Sequence, residues 1–204
     1  MNKEDLIKKF DRQASIYENN RNNLVLWNWR AKLLQDATGS LLELAVGVGA
    51  NFPFYDRHRV RVTAVDFSPT MIKKAEEFAD RLNIRFEFLL ADIEQASFQE
   101  NQFDTVVSTL SLCGLLNPVA VLNHFNRWCR DGGHILLMEH GISSNWLLAA
   151  AQKVLDPIAY RVSGCHYDRD MMKLVEKSDL LIEKSEHHWF DTVHLIWARP
   201  DKTA

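Results

Sequence analysis

Cysteine is scarce in this sequence: Cys113, Cys129 and Cys165 stand far apart, with no CxxC pair and no regular metal-ligand spacing. That scarcity speaks against a disulfide framework and against a zinc module. An odd, sparse count suits a reducing compartment, so a cytoplasmic protein without a bound metal is expected. Long hydrophobic runs are also lacking. No apolar stretch approaches the roughly 20 residues of a bilayer span, and the polar start MNKEDLIKKF does not read as a signal peptide. Neither sign of charge dominates. With 24 Lys and Arg against 27 Asp and Glu, the formal net charge is −3, which gives no electrostatic reason to expect nucleic acid as a partner. Linkers, repeats and low-complexity tracts are absent too. The 204 residues, 47% of them hydrophobic, are enough for one well-cored domain spanning 1–204 and too few for two.

Alternating strand and helix patterns fill most of the chain. Residues 3–36 carry helical spacing (Leu6, Ile7, Phe10, Ala14 and Tyr17 on one face), interrupted by NNRNN at 19–23. Strand patterns follow at 41–46, 60–66, 84–92, 103–110 and 134–140, with helices expected at 68–82 and 118–130. Ser68 can cap the first of these helices, with Pro69 in its first turn. DGG at 131–133 is expected to close the second before its strand begins. Such alternation builds a parallel sheet with helices on both faces. The end of the chain breaks the pattern: helices at 144–160 and 170–178 precede two strands joined by about two residues, which only an antiparallel hairpin allows.

The stretch LLELAVGVGANFPFY (41–55) is the chemical centre of the sequence, with Gly47 and Gly49 directly after an apolar run that carries Glu43. Three ligands compete for this turn. A triphosphate needs GxxxxGK[ST], and no lysine stands in that register. A dinucleotide needs GxGxxG, and Phe52 occupies the third glycine position. S-adenosyl-L-methionine needs close backbone approach and carboxylate anchors instead. Asp66 ends the second strand, where it can accept from both ribose hydroxyls. Asp92 ends the third, where it can accept from the adenine amine, with Phe67, Met71 and Ile93 placed to sandwich the ring.

In order along the chain, ELAVGVG (43–49), AVDFSPTM around Asp66, LLADIE around Asp92 and FDTVVSTL (103–110) resemble the successive motifs of class I S-adenosylmethionine-dependent methyltransferases. The resemblance covers residues 40–140 closely and implies an α/β, Rossmann-like, seven-stranded, mostly parallel sheet with an antiparallel last strand. It implies cofactor contacts at Tyr17, Glu43, Ala45, Gly47, Gly49, Asn51, Asp66, Phe67, Met71, Asp92, Ile93, Ser108 and Thr109. Ala45 departs from the pattern, standing where the family has its first glycine. A slightly altered turn with negative φ is expected there.

A narrower resemblance, carried by GANFPFY, STLSLCGLLNP, EHG and GCHYDRD, is to a subgroup holding bacterial phospholipid N-methyltransferases and membrane-associated alkyl-thiol methyltransferases. FDRQASIY (10–17) is similar to a lid motif of that subgroup and of quinone-biosynthesis methyltransferases. It implies that residues 1–36 form a helical lid and that Tyr17 closes over the methionine end of the cofactor. Residues 141–170 then form the acceptor side, with Trp146, Tyr160, His166, Tyr167 and Arg169 as its expected walls. His166 and His140 are the candidate general bases. His187 and His188, on opposite faces of a strand, read as structural, and Cys113 as a buried structural thiol rather than a nucleophile. The apolar segment 146–162 is either a cover over the core or an interfacial helix bringing in a lipophilic acceptor. The expected activity is methyl transfer to a small or lipid-like acceptor. The open alternatives are a phospholipid or quinone methyltransferase at the membrane surface, a non-catalytic cofactor-binding module, and, more distantly, a nucleotide-dependent oxidoreductase.

Overall fold

The structure is a computed structural model that describes residues 3–82 and 86–203. Two helices, α1 (Lys3–Asn19) and α2 (Leu24–Leu34), lead into β1 (Gly39–Leu44), β2 (Val60–Asp66), α3 (Pro69–Leu82), β3 (Phe86–Leu90) and β4 (Phe103–Thr109). Then follow α4 (Pro118–Trp128), β5 (Cys129–His140), α5 (Trp146–Ser163), α6 (Met171–Glu176) and the hairpin β6 (Leu180–His188) and β7 (Val193–Pro200). The seven strands lie in the order β3-β2-β1-β4-β5-β7-β6. All pairs from β3 to β5 are parallel, and β7 runs antiparallel to both of its neighbours. This is the doubly wound sheet with one reversed strand that the element order implies.

The strands read as nearly continuous apolar runs because both sheet faces are covered. Successive side chains point to opposite faces, so Leu41 joins one core and Leu42 the other. On the first face Leu33 and Leu34 of α2 and Ile72, Ala75 and Ala79 of α3 pack on the sheet. On the second, Val121, Leu122 and Phe125 of α4 and Met171 and Val175 of α6 do so. Ser68 caps α3 as expected, its Oγ accepting the Met71 N–H at 3.1 Å, with Pro69 as the first helical residue.

Several boundaries differ from the sequence pattern. Residues 84 and 85 of the expected third strand lie outside the described residues, and β3 itself ends at Leu90. The helix expected to run to 130 stops at Trp128, and DGG does not separate helix from strand: it sits inside β5, which begins at Cys129. There the pairing with β4 slips between Phe103–Cys129 and Thr105–His134. The glycines accommodate a bulge, since a Cβ on Gly133 would lie 2.6 Å from Cys129 Sγ.

Candidate active site

The carboxyl edge of β1, β2, β3 and β4 opens into a cavity of about 890 Å³. Its floor is the turn after β1, where Ala45 (φ +48°), Gly47 (φ +55°) and Gly49 (φ +78°) all adopt left-handed backbone. The negative φ expected at Ala45 is therefore corrected. The turn keeps a shape suited to glycine, and the alanine is held in it at about 1–2 kcal/mol. Two hydrogen bonds hold it there: Val46 N–H donates to the Val65 carbonyl at 3.0 Å, and Gly47 N–H to Asp66 Oδ2 at 2.9 Å. Gly49 is needed for a second reason. Phe52 packs so closely beneath it that a Cβ would fall 2.4 Å from the ring. Phe52 in turn stacks on Phe86 at 4.1 Å in the core, which closes the place a dinucleotide fold leaves for its third glycine.

Asp66 ends β2 with one carboxylate oxygen accepting from Gly47 and the other from the Ser68 N–H at 2.9 Å. Burial pushes its carboxyl up to about 6. Each oxygen keeps a further lone pair, and Asp66 lines the cavity. Phe67, Met71, Asp92 and Ile93 line the same part of it. Asp92 accepts the Glu94 N–H at 3.0 Å and meets Lys3 of α1 at 2.9 Å.

At the β1–β4 end, Glu43 is buried between the Asn51 amide and the Tyr55 hydroxyl, each 2.9 Å away. Desolvation pushes its carboxyl up to about 7, against those hydrogen bonds and the nearby Arg30. Asn51 also donates to Thr109 Oγ1 at 3.0 Å, which leaves its Oδ1 buried with no partner. Arg30 of α2 lines the cavity beside Glu43, and its Nε is likewise buried without a partner. An unpartnered amide oxygen and a buried guanidinium with one unpartnered N–H, both beside Glu43, are costly in isolation. Together they match the ammonium and carboxylate of an amino-acid zwitterion. The residues present thus fit S-adenosyl-L-methionine, the cofactor this domain implies, with Asp66 and Asp92 toward its nucleoside and Asn51 and Arg30 toward its methionine end.

Tyr17, Glu43, Ala45, Gly47, Asn51, Asp66, Phe67, Met71, Asp92, Ile93 and Thr109 line this one cavity. Gly49 and Ser108 do not. Gly49 acts through Phe52, and Ser108 donates to the buried Glu139 at 2.7 Å. Glu139, pushed up to about 7 by burial, also accepts the Ser111 and Leu112 N–H groups at 3.0 and 3.2 Å and so fixes the loop after β4.

Helix α1 lies over the cavity. Asp11 accepts from Ser68 Oγ at 2.5 Å and the Thr70 N–H at 3.2 Å, while Gln13 and Lys9 donate to carbonyls at the end of α5. Phe10 meets Phe67 edge-on at 5.5 Å. Leu6, Tyr17, Leu110, Leu115, Leu116, Ser163 and Cys165 also line the cavity.

The expected acceptor walls are not there. Trp146, Tyr160, His166, Tyr167 and Arg169 lie outside the lining, as does His140. His166 Nδ1 sits 2.7 Å from Asp156 Oδ2, and its ring stacks on Tyr160 at 4.2 Å. Arg169 spends its guanidinium on the Leu112 and Leu115 carbonyls at 2.7 and 2.6 Å. His140 stacks on Tyr167 at 4.6 Å. His187 and His188 lie on the terminal hairpin against His194 and Trp29. Arg30 escaped notice in the sequence, although an arginine one turn before Leu33 and Leu34 on an apolar helix face is a visible signal.

A sheet of this order with such a glycine turn and acid anchors has the fold of class I methyltransferases. Residues 42–137 match the family described as a methyltransferase domain. Phosphatidylethanolamine N-methyltransferase of Cereibacter sphaeroides is 34% identical over 119 residues, covering 57% of this chain and 58% of that protein. The human thiol S-methyltransferase TMT1A is 34% identical over 154 residues, covering 72% of this chain and 62% of its own. The chain thus spans about three-fifths of the length of these curated relatives. Among solved structures, geranyl diphosphate C-methyltransferase from Streptomyces coelicolor A3(2) superposes with a TM-score of 0.72 at 13% identity, covering 86% of this chain and 80% of that one. At that identity the likeness is one of fold.

Proposed function

We propose that this chain transfers a methyl group from S-adenosyl-L-methionine to a nitrogen or sulfur nucleophile on an apolar body, as a peripheral protein of the cytoplasm. The supporting observation is one cavity lined both by the polar anchors Asp66, Asp92, Asn51 and Arg30 and by the apolar side chains of Leu6, Leu110, Leu115 and Leu116. The acceptors in the names of the relatives, an ethanolamine lipid and a thiol, are of this kind.

When bound, the cofactor supplies a methyl already activated by a sulfonium. What remains for the protein is to hold the acceptor in line and to exclude water, worth several orders of magnitude in rate. Asp66, Asp92, Asn51 and Arg30 hold the two ends of the cofactor. Tyr17 and Phe10 on α1 act as a lid, and Leu110, Leu115 and Leu116 accommodate the apolar body of the acceptor. His166 and His140 do not line the cavity and are given no step: the acceptor loses its proton to solvent before the cavity closes over it.

Helix α5 supports a membrane-surface location. Of its 18 residues only Asp156 is buried, while Leu147, Val154 (76% exposed), Leu155, Ile158 (63%) and Val162 present an apolar face beside Lys153 and Arg161. An interfacial helix has this make-up, and its last turn adjoins the cavity wall at Ser163 and Cys165. Among the described residues no helix is long and apolar enough to cross a membrane. The test is a screen with methyl-labelled cofactor against phosphatidylethanolamine vesicles, an alkyl thiol and a phenol, repeated with Val154→Asp/Ile158→Asp. Label entering the lipid or the thiol, with lipid turnover lost in the double variant, is the expected result. Label in none of them, while the cofactor binds, would return the chain to a binding module.

A further inference from the structure

Three donors that lie far apart in the sequence meet beside the cavity, where Cys165 forms part of its wall. Cys113 comes from the turn after β4, His140 from the end of β5 and Cys165 from the segment after α5. The two sulfurs and one imidazole nitrogen all lie within 4.8 Å of one another. Cys113 is fully buried and Cys165 is 9% exposed, its surface contributing to the cavity wall.

The backbone holds each donor in place. His166 N–H donates to the Cys113 carbonyl at 3.1 Å, directly joining the two cysteine segments. Arg169 ties down the carbonyls of Leu112 and Leu115 on either side. Gly141 N–H, next to His140, donates to the Thr192 carbonyl at 3.0 Å, and Ile142 N–H to the Arg169 carbonyl at 2.8 Å. The His140 ring is fixed against Tyr167. Within this ordered frame the donors face one another, Cys165 sharing hydrogen bonds with the Cys113 thiol and the His140 ring. His140 Nδ1 is buried with no hydrogen-bond partner, and outside the cluster the Cys113 thiol makes a long contact, 3.8 Å, to the Leu110 carbonyl.

We infer that Cys113, His140 and Cys165 form a binding site for one thiophilic divalent cation of the zinc class, beside the cavity wall at Cys165. Two sulfurs and an imidazole are the ligand set that selects such ions over magnesium or calcium, which take oxygen. With zinc–sulfur bonds of about 2.3 Å and zinc–nitrogen bonds of about 2.0–2.1 Å, tetrahedral ligand atoms stand roughly 3.3–3.8 Å apart. Side-chain rotations of about 1 Å would close the present cluster onto an ion. Two thiolates neutralise the divalent charge in a buried place. Three protein ligands leave the fourth tetrahedral position to an exchangeable ligand such as water, unlike a closed structural site. This inference stands apart from the methyl-transfer proposal, because metal binding needs neither cofactor nor acceptor.

The test is titration of the full chain with cobalt(II) under a phosphine reductant, reading the thiolate-to-cobalt band and the tetrahedral visible bands, then displacement by zinc. One equivalent is expected. Cys113→Ser and Cys165→Ser should each weaken binding by roughly 100-fold or more, beyond the roughly 10–100-fold of an outer-shell partner. Cys129→Ser, at a buried thiol outside the cluster, should bind as the parent does. If a serine variant fails to fold, the chemical shift of cadmium bound to the unaltered chain counts its sulfur ligands directly, and two are expected. Absence of the thiolate band, undiminished binding in a folded Cys113→Ser variant, or a cadmium shift without two sulfurs would overturn the site. So would a reduced chain that takes up no metal but forms a Cys113–Cys165 disulfide on mild oxidation.

Discussion

Replacing Glu43 by Gln isolates one electrostatic cost built into the site. Glu43 is 2% exposed, and burial raises its carboxyl from 4.5 to about 7. A carboxyl with a folded-state pKa above its unfolded value binds more protons folded than unfolded across that interval, so stability falls as pH rises. Below pH 4.5 the group is protonated in both states and contributes no pH dependence. Between 4.5 and about 7 only the unfolded state ionises, and the accumulated loss reaches about 3 kcal/mol. Above that the loss is complete and constant. Asp66 and Glu139, raised to about 6 and about 7, act with the same sign, so the parent should be most stable in mild acid. Glutamine matches the size of the side chain and can still accept from Asn51, while its amide faces the Tyr55 hydroxyl. The change in these bonds costs about 1 kcal/mol. Urea unfolding should therefore find Glu43→Gln more stable than the parent by about 1–2 kcal/mol near pH 8, and equal or slightly less stable near pH 4. A difference between variant and parent that stays constant across this range would refute the argument.

Ala45→Gly relieves a left-handed φ worth about 1–2 kcal/mol but loosens the unfolded chain by about 0.4–1 kcal/mol. Chemical denaturation should show a neutral to about 1 kcal/mol stabilising effect, and a clear destabilisation would mean the strain is absent. Asp11→Ala removes a carboxylate that pins α1 to the start of α3. Proteolysis within residues 3–19 should speed up about tenfold, for roughly 1.5 kcal/mol lost, and slow again on adding cofactor; unchanged cleavage would mean that α1 is no lid. His166→Ala leaves the buried Asp156 with backbone partners alone, the Tyr167 and Asp168 N–H groups. Stability should fall by about 1–3 kcal/mol with turnover within about threefold, whereas a kcat loss of about 100-fold at unchanged stability would restore the general-base role.

The parts legible in the sequence were those governed by local rules. Continuous apolar runs marked the strands, Ser68 and Pro69 marked the start of α3, and two acids at strand ends marked Asp66 and Asp92. What escaped depends on contacts made across the fold. Ala45 keeps its left-handed turn because Asp66 and Val65 hold the neighbouring amides, which no propensity at position 45 reveals. The start of β5 moved forward because a bulge let DGG join the sheet instead of ending a helix. His166 seemed suited to an acceptor pocket until Asp156, ten positions earlier on α5, proved to hold it outside the cavity. Cys113, His140 and Cys165 resemble no metal motif because three separate elements deliver them.

The most direct test of the cofactor site is calorimetric titration of S-adenosyl-L-methionine into the parent and into a folded Asp66→Ala variant. Asp66 holds the turn on one side and offers its remaining lone pairs to the cavity on the other. The parent should bind one equivalent, and the variant should lose roughly 2–3 kcal/mol, about 30- to 150-fold in Kd. A parent that does not bind the cofactor, or a folded variant that binds it equally well, would contradict the account.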